Sequence, residues 1–237
     1  MDHEIMDLEQ LASYLQRDAR ELHKLANRGY LPGQKVGGQW RFATAEIHYW
    51  LETQIPAYTD EELTALEAGG GRDVHRAQPL ITSLLSEAIM AVPLAAGTKA
   101  SVLKELVTLA EASWQVYDPD AMLSAIHQRE EQGSTALDSG VVIPHPRRPL
   151  GDTVQGEALI AFGRTSRGIP FGAPNGSLSD IFFLVCCRDQ ATHLRVLTRL
   201  ARLILRPSFL IDLRAAESGP EAYQIIDAAE RALIDEN

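Results

Sequence analysis

Hydrophobic and polar positions near the start of the chain predict two short helices. Apolar residues recur at helical spacing between residues 7 and 15, which indicates a first helix there. Asp18, followed three residues later by Glu21, forms a capping-box pattern that starts a second helix at about residue 19. Gly29 suits the left-handed residue that commonly ends a helix. The pattern therefore predicts two helices joined by a tight turn.

The pattern then changes from helical periodicity to alternation. Polar and apolar side chains alternate over residues 34–42 on either side of a Gly-Gly pair. This pattern predicts a β-hairpin with a two-residue turn. Trp40 and Phe42 are expected on one face of the hairpin and Arg41 on the other. A third helix is predicted over residues 44–54.

Positive charge in this first segment is concentrated around the second predicted helix. Residues 1–55 have a net charge of −2, but residues 17–41 hold all six bases and two acids, a net charge of +4. Two helices followed by a basic hairpin form a helix-turn-helix with a wing, whose second helix enters the major groove of DNA. The lysine and arginine side chains could then reach the DNA phosphates or the edges of the nucleobases. The predicted DNA-contacting residues are Arg17, Arg20, Lys24, Arg28, Lys35 and Arg41.

The first segment also resembles a known family. The string DLEQLASYLQRDARELHKLANRGYLPGQKVGGQWRF and the helix after it resemble the excisionase/MerR-type winged helix-turn-helix over about residues 6–54. The resemblance implies that DNA is a partner. Two other interpretations stay open: the basic stripe is a solvated helix face, or the segment is a degenerate helix-turn-helix that binds protein.

A change in composition divides the chain. Residues 56–78 hold five acids, two bases and the run Gly69–Gly71, which carries high backbone entropy. We predict a linker there, with a short helix over residues 60–68. The predicted domains are therefore residues 1–55, a DNA-binding domain, and residues 79–237, a larger domain.

Helical and strand patterns alternate in the larger segment. Predicted helices cover residues 98–112, 118–131, 190–205, 207–216 and 220–235, and predicted strands cover residues 140–144, 157–162 and 180–187. The last strand is nearly all apolar, which indicates a central position in the sheet. Cys186 and Cys187 lie on opposite faces of that strand and are expected to be packing residues. The pattern predicts an α/β fold with a mixed β-sheet flanked by helices.

Two histidines in this segment are candidates for chemistry. A short strand delivers His145 into a loop between two prolines, which restrict the backbone on both sides. His193 lies on the first turn of a helix, whose N-terminus favours an anion. Phosphoryl transfer needs a neutral ring nitrogen as acceptor and nearby donors for the phosphoryl oxygens. The candidate donors are Arg129, Arg147, Arg148, Ser134 and Thr135.

Four ordered motifs carry a second resemblance. REEQGST, SGVVIPHPR, IPFGAPNGSLSDIFFLV and DQATHLRVLTRLARLI span about residues 80–234. In this order they resemble the enzyme IIA component of bacterial phosphotransferase systems, in the fructose/mannitol class that includes the nitrogen-regulatory type. The resemblance implies that His145 accepts a phosphoryl group on Nε2 from a phosphohistidine carrier such as HPr. It also implies that His193 is the second active-site histidine and that Arg129 neutralises the phosphate.

One residue departs from the family pattern. The family usually has glycine after the active histidine, where this chain has Pro146. Proline removes a backbone N–H that could bind phosphate and stiffens the loop. We therefore expect Pro146 to affect the rate of phosphorylation or the identity of the phosphoryl donor. Ser134, Thr135 and Arg147 are predicted to support the phosphate loop.

Overall composition narrows the function classes. The net charge of −10 excludes a wholly basic nucleic-acid coat protein, so any DNA contact must come from a local patch. Two cysteines cannot form a disulfide framework, and no Cys/His spacing matches a structural zinc site. No signal peptide or membrane span is recognisable, so we expect a cytoplasmic protein without metal or cofactor.

These observations favour a phosphorelay-responsive DNA-binding regulator that acts as a homodimer. An alternative is a phosphotransfer protein that passes the group from HPr to a IIB domain, with the first segment as a docking module. A third interpretation, metal-dependent hydrolysis, is disfavoured because the sequence has no carboxylate-rich or His-x-x-x-His cluster. If the two domains communicate, the basic patch is expected to dock against the phosphorylated His145 loop and to compete with DNA.

Overall fold

The computed structural model describes residues 5–15, 17–69, 80–151 and 153–236. Its N-terminal part contains β1 (Ile5–Met6), α1 (Leu8–Leu15), α2 (Ala19–Asn27), β2 (Gln34–Val36), β3 (Gln39–Ala43) and α3 (Thr44–Gln54). β3 is the central strand of a three-stranded antiparallel sheet in the order β1-β3-β2. The predicted helix-turn-helix with a hairpin wing is therefore confirmed.

Local chemistry explains these boundaries. The Asp18 carboxylate accepts the backbone N–H groups of Arg20 and Glu21 at 2.9 and 3.1 Å, which caps the start of α2. Both glycines of the hairpin turn have positive φ angles, as a tight two-residue turn requires. Phe42 is fully buried and stacks on Trp40 with ring centres 5.9 Å apart, which anchors the hairpin to the helices.

A packed helix occupies much of the interval predicted as a linker. A short 3-10 turn (Ile55–Ala57) leads into α4 (Asp60–Gly69), which packs against a helix of the larger domain. The predicted short helix thus forms, but buried ion pairs of its Glu67 with Arg199 and Arg202 hold it against the larger domain. Gly70 and Gly71 of the predicted glycine run lie outside the described residues.

The larger part is a mixed sheet covered by helices. Its elements are α5 (Ile81–Leu84), β4 (Met90–Ala91), α6 (Lys99–Glu111), α7 (Pro119–Glu131), β5 (Val141–Val142), β6 (Ala158–Ile169), β7 (Ser179–Cys187), α8 (Gln190–Ile204), α9 (Pro207–Ala215) and α10 (Gly219–Asp235). The strand order is β4-β6-β7-β5, with β6 and β7 antiparallel and both outer pairs parallel. The predicted α/β fold is confirmed.

The two central strands divide the core into two apolar layers. Along β7, Phe182 and Cys186 point into the layer that contains α6 and α7, whereas Phe183 and Cys187 point into the layer that contains α8 to α10. Both cysteines are free and buried. The prediction that they pack on opposite faces is confirmed.

β6 differs most from its predicted length. The apolar pattern predicted a strand that ends at residue 162, but β6 continues to Ile169. Its second half includes exposed polar residues, and its pairing with β7 shifts in register between Arg164 and Ile169. A polar, irregular extension carries no alternating pattern, so sequence periodicity misses it. Among the described residues, no helix is both long and apolar enough to span a lipid bilayer.

Candidate active site

His145 is delivered to the site by the loop that follows β5. β5 pairs with β7, and the Val185 N–H continues this pairing by donating to the Pro144 carbonyl at 2.9 Å. The His145 side chain is 4% exposed, and its Nδ1 lies 2.7 Å from the Ile143 carbonyl oxygen. Because a carbonyl only accepts hydrogen bonds, Nδ1 carries a proton. The other nitrogen, Nε2, therefore faces the rest of the site.

His193 approaches the same point from the start of α8. The Asp189 carboxylate caps this helix by accepting the Thr192 N–H at 2.8 Å. The rings of His145 and His193 lie 5.0 Å apart, centre to centre, at an angle of 59°. Burial lowers the pKa of His193, although a nearby carboxylate opposes this effect. His193 is therefore held in its neutral form.

The predicted cation Arg129 lies at the end of α7 and is buried. Its Nη1 donates to the Gly133 carbonyl at 3.0 Å, which fixes the guanidinium at the turn after α7. The other guanidinium nitrogens donate to a carboxylate that also lies beside the two histidines. The structure thus brings together Arg129, His145 and His193.

The remaining candidate residues of the phosphate loop form their hydrogen bonds outside the histidine cluster. The Ser134 hydroxyl donates to the Phe171 carbonyl at 3.1 Å, and the Thr135 hydroxyl donates to Glu130. Arg147 is exposed, and its Nη1 donates to Gln132 Oε1 at 3.1 Å. Their support of the phosphate loop stays a prediction.

The shared carboxylate belongs to Glu52, which sequence reasoning missed. Glu52 lies on α3 of the helix-turn-helix part, 93 positions before His145, and its side chain is 6% exposed. Its Oε1 contacts His145 Nε2 and lies 3.3 Å from Arg129 Nη2, while its Oε2 lies 3.8 Å from His193 Nε2. The spacing of Glu46, Tyr49 and Glu52 on one face of α3 is the only trace of this contact in the sequence.

Electrostatics favour a charged Glu52. Burial is the largest single influence and raises the pKa of its carboxyl, but the attraction of both histidines and the hydrogen bond to His145 together lower the pKa by more. The net result is a pKa well below the usual range of a glutamate. The carboxylate is therefore an anion held by two imidazoles and a guanidinium.

The same atoms resemble a ligand set for a metal ion. One ligand atom each from Glu52, His145 and His193 lies within 4.8 Å of the others. Two histidines and a carboxylate can bind zinc or iron. The Arg129 guanidinium, however, already lies against the carboxylate and opposes a second cation there. The cluster therefore suits an anion held by cations better than a resident metal.

The predicted DNA-contacting residues lie on or next to α2 and on the β2–β3 hairpin. Arg20, Lys24 and Arg28 are exposed on α2 and its C-terminal cap, and none of them forms an ion pair within the described part of the chain. Arg17 pairs with Glu21, Lys35 covers the Trp40 ring at 5.0 Å, and Arg41 donates to Gln39 at 3.0 Å. In the unphosphorylated protein, the surface that meets the His145 loop carries Glu46 and Glu52. Docking of the basic patch on the phosphorylated loop stays a prediction.

Comparisons with known proteins identify the family of each part of the chain. Residues 83–229 match the family model of the phosphoenolpyruvate-dependent sugar phosphotransferase system, EIIA 2, and residues 5–55 match a helix-turn-helix domain. A stretch of 149 residues is 32% identical to the fructose-specific EIIABC component of the phosphotransferase system of Bacillus subtilis, and it covers 62% of this chain and 23% of that protein. The chain thus spans less than a quarter of the length of that relative.

Two smaller relatives are covered almost completely. The chain is 30% identical over 148 residues to a nitrogen regulatory protein of Bradyrhizobium diazoefficiens, and the match covers 62% of this chain and 94% of that protein. The crystal structure of the nitrogen regulatory protein IIA-Ntr from Neisseria meningitidis superposes with a TM-score of 0.56 and 27% identity, over 62% of this chain and 99% of that one. The chain therefore belongs to the EIIA 2 family of the phosphoenolpyruvate-dependent sugar phosphotransferase system, with a helix-turn-helix domain at its N-terminal end.

Proposed function

We propose that this protein is a DNA-binding regulator whose EIIA domain accepts a phosphoryl group on His145 from an HPr-type donor. The observation that carries the proposal is the orientation of the His145 ring. Its Nδ1–H donates to the Ile143 carbonyl, so in the neutral ring the lone pair belongs to Nε2. That nitrogen contacts the Glu52 carboxylate, which also lies beside Arg129 and His193.

The transfer step follows from this tautomer. The Nε2 lone pair attacks the phosphorus of the donor phosphohistidine, a new P–N bond forms and the donor's P–N bond breaks. The electron pair of the broken bond stays on the donor imidazole. Arg129 balances charge on the phosphoryl oxygens, and neutral His193 adds a second polar partner. No further group is needed to balance the reaction.

Mass spectrometry of the full chain after incubation with phosphorylated HPr tests this proposal. We expect a single phosphoryl adduct on the wild type and none on His145→Ala. His127→Ala is the matched control, because His127 lies on α7 outside the site and its loss should leave labelling unchanged. Labelling of His145→Ala at the wild-type level would reject the assignment.

DNA binding is the second part of the proposal. The exposed stripe of Arg20, Lys24 and Arg28 lies on the helix that enters the major groove in helix-turn-helix proteins. Its charges are free to contact phosphates, which would make binding strongly dependent on salt. We further propose a homodimer, because two linked half-sites multiply affinity. Light scattering of the free and DNA-bound protein measures the oligomeric state.

Phosphotransfer to a IIB domain is the alternative. It is favoured by the similarity to a relative named as a fructose-specific EIIABC component. In that case phosphorylated His145 should lose its group to a IIB domain, and DNA binding should be absent. Transfer assays with IIB domains and gel-shift assays on the same preparation distinguish the two functions.

A further inference from the structure

One face of helix α3 covers the candidate active site. Glu46, Tyr49 and Glu52 are spaced three residues apart, so they lie on neighbouring turns of this face. The Tyr49 ring centre is 4.7 Å from the Arg147 guanidinium carbon and 5.6 Å from that of Arg129. Glu46 lies 3.5 Å from Arg147. This face of α3 therefore meets the EIIA domain through two acids and one aromatic ring.

Glu52 lies at the centre of this contact. Its carboxylate touches His145 Nε2 and lies within 3.3 Å of Arg129 and 3.8 Å of His193. These are the three side chains that would bind a phosphoryl group. The other acid of this face, Glu46, is 54% exposed and reaches only the rim. Glu52 is thus distinguished by position as well as by burial.

The contact covers the ring nitrogen of His145 that would attack phosphorus. Nδ1 donates its proton to the Ile143 carbonyl, so Nε2 is the nitrogen left to act as nucleophile. The Glu52 carboxylate contacts this same atom. A donor phosphorus therefore cannot reach Nε2 while Glu52 lies against it.

A phosphoryl group on Nε2 would also exclude Glu52 directly. The group would occupy the volume next to Nε2 that the Glu52 carboxylate now fills. Both are anions, and both would use the Arg129 guanidinium as their nearest positive charge. Two anions in one buried space repel each other strongly. The docked and the phosphorylated arrangements therefore cannot coexist.

We propose that Glu52 is an internal occupant of the phosphoacceptor site, which docks helix α3 on the EIIA domain until phosphorylation of His145 expels it. The inference rests on the proposed function, since it requires that His145 accepts the phosphoryl group. Arg129 exchanges the Glu52 carboxylate for the phosphoryl oxygens. The state of His145 is thereby transmitted to the DNA-binding domain through α3.

Removal of the Glu52 carboxylate tests whether this side chain occupies the phosphoacceptor site. Full-length wild type, Glu52→Ala, Glu52→Gln and Glu46→Ala are labelled with phosphoramidate, a small donor that needs no protein docking. In this reaction the Nε2 lone pair attacks phosphorus, the P–N bond of zwitterionic phosphoramidate breaks, and its electron pair leaves on nitrogen as ammonia, while Nδ1 of His145 keeps its proton. A hydrogen bond between charged groups shifts an equilibrium by about tenfold to a hundredfold. Since only the open fraction reacts, Glu52→Ala should label at least about tenfold faster than wild type.

Each outcome of this assay is informative. Glu52→Gln keeps the size of the side chain and should also label faster, whereas the rim control Glu46→Ala should match the wild type. A wild-type or slower rate in Glu52→Ala would overturn the inference, and a slower rate would instead make Glu52 the base that removes the Nε2 proton. Absence of phosphohistidine in every variant would overturn the proposed function as well, so the two failures are distinguishable.

Hydrogen exchange of the full chain provides the second readout. Backbone amides of α3 should exchange faster after phosphorylation of the wild type, and already before it in Glu52→Ala. Glu46→Ala should show the wild-type pattern in both states. Equal protection of α3 in phosphorylated and unphosphorylated wild type would contradict the expulsion of Glu52.

Discussion

Replacement of Glu67 by alanine should destabilise the contact between the two domains. Glu67 lies on α4 with a side chain 5% exposed, and it bonds to Arg199 Nε at 2.6 Å and to Arg202 Nη1 at 2.9 Å. Both arginines belong to α8, the helix that begins beside His193. The substitution therefore removes a buried anion that two buried cations share.

The structure sets the expected magnitude. Removal of one partner from a buried ion pair costs about 3 to 5 kcal/mol, because the other charge stays buried without compensation. Here Arg199 keeps Glu230 at 3.0 Å, and Arg202 keeps Asp60 at 3.1 Å. We therefore expect the lower end, about 3 kcal/mol. For a chain of this size, that loss lowers the melting temperature by about 6 to 12 °C.

Urea and thermal unfolding of the full chain measure this loss. Glu61→Ala is the matched control, since Glu61 lies on the same helix and is exposed. Its effect on the free energy of unfolding should stay within about 0.5 kcal/mol. If Glu67→Ala lost no more than Glu61→Ala, the buried network between α4 and α8 would not exist as described. The interval would then behave as the predicted linker.

Three further predictions concern charge and burial. Arg129→Ala should keep the circular dichroism of the wild type but slow phosphorylation of His145 by about 100-fold to 1,000-fold, and full-speed labelling would show that the arginine is structural. Replacement of Arg20 and Lys24 by alanine should weaken DNA binding and lower the slope of log K against log salt by about one unit per lost phosphate contact. Arg206 is half-buried and pairs with Glu236, and Arg206→Ala serves as the charge control in that gel-shift series. Burial raises the pKa of the Cys186 thiol to about 12, so iodoacetamide at pH 8 should modify it only after unfolding, and rapid modification of the native protein would contradict its burial.

Local signals explain why much of the fold is predictable from the sequence. Asp118 before Pro119 marks a helix start by itself, and α7 begins there. The strand that ends at Cys187 is nearly all apolar, which indicates a central position in the sheet because both faces of such a strand are buried. β4 is only two residues long, and its parallel pairing with β6 depends on a distant strand. No local pattern specifies such a contact.

The candidate active site likewise combines residues that the sequence indicates with one that it does not. His145, His193 and Arg129 stand in ordered motifs, so the amino-acid sequence alone indicates them. Glu52 stands in an ordinary amphipathic helix, and its partner is 93 positions away. Likewise, Glu67 is one of several acids in the interval between the domains, and only the docking of α4 on α8 buries it. Contacts between separately folded segments depend on tertiary packing rather than on local propensity.

The central claim is that Nε2 of His145 is the phosphoryl acceptor. The most direct measurement is long-range proton–nitrogen NMR of the full chain, labelled with nitrogen-15 in its histidine rings, before and after incubation with phosphorylated HPr. We predict that the Nε2 resonance of His145 shifts and couples to phosphorus, while its Nδ1 keeps its proton and its bond to the Ile143 carbonyl. Phosphorus on Nδ1, on another histidine or on none would contradict the claim.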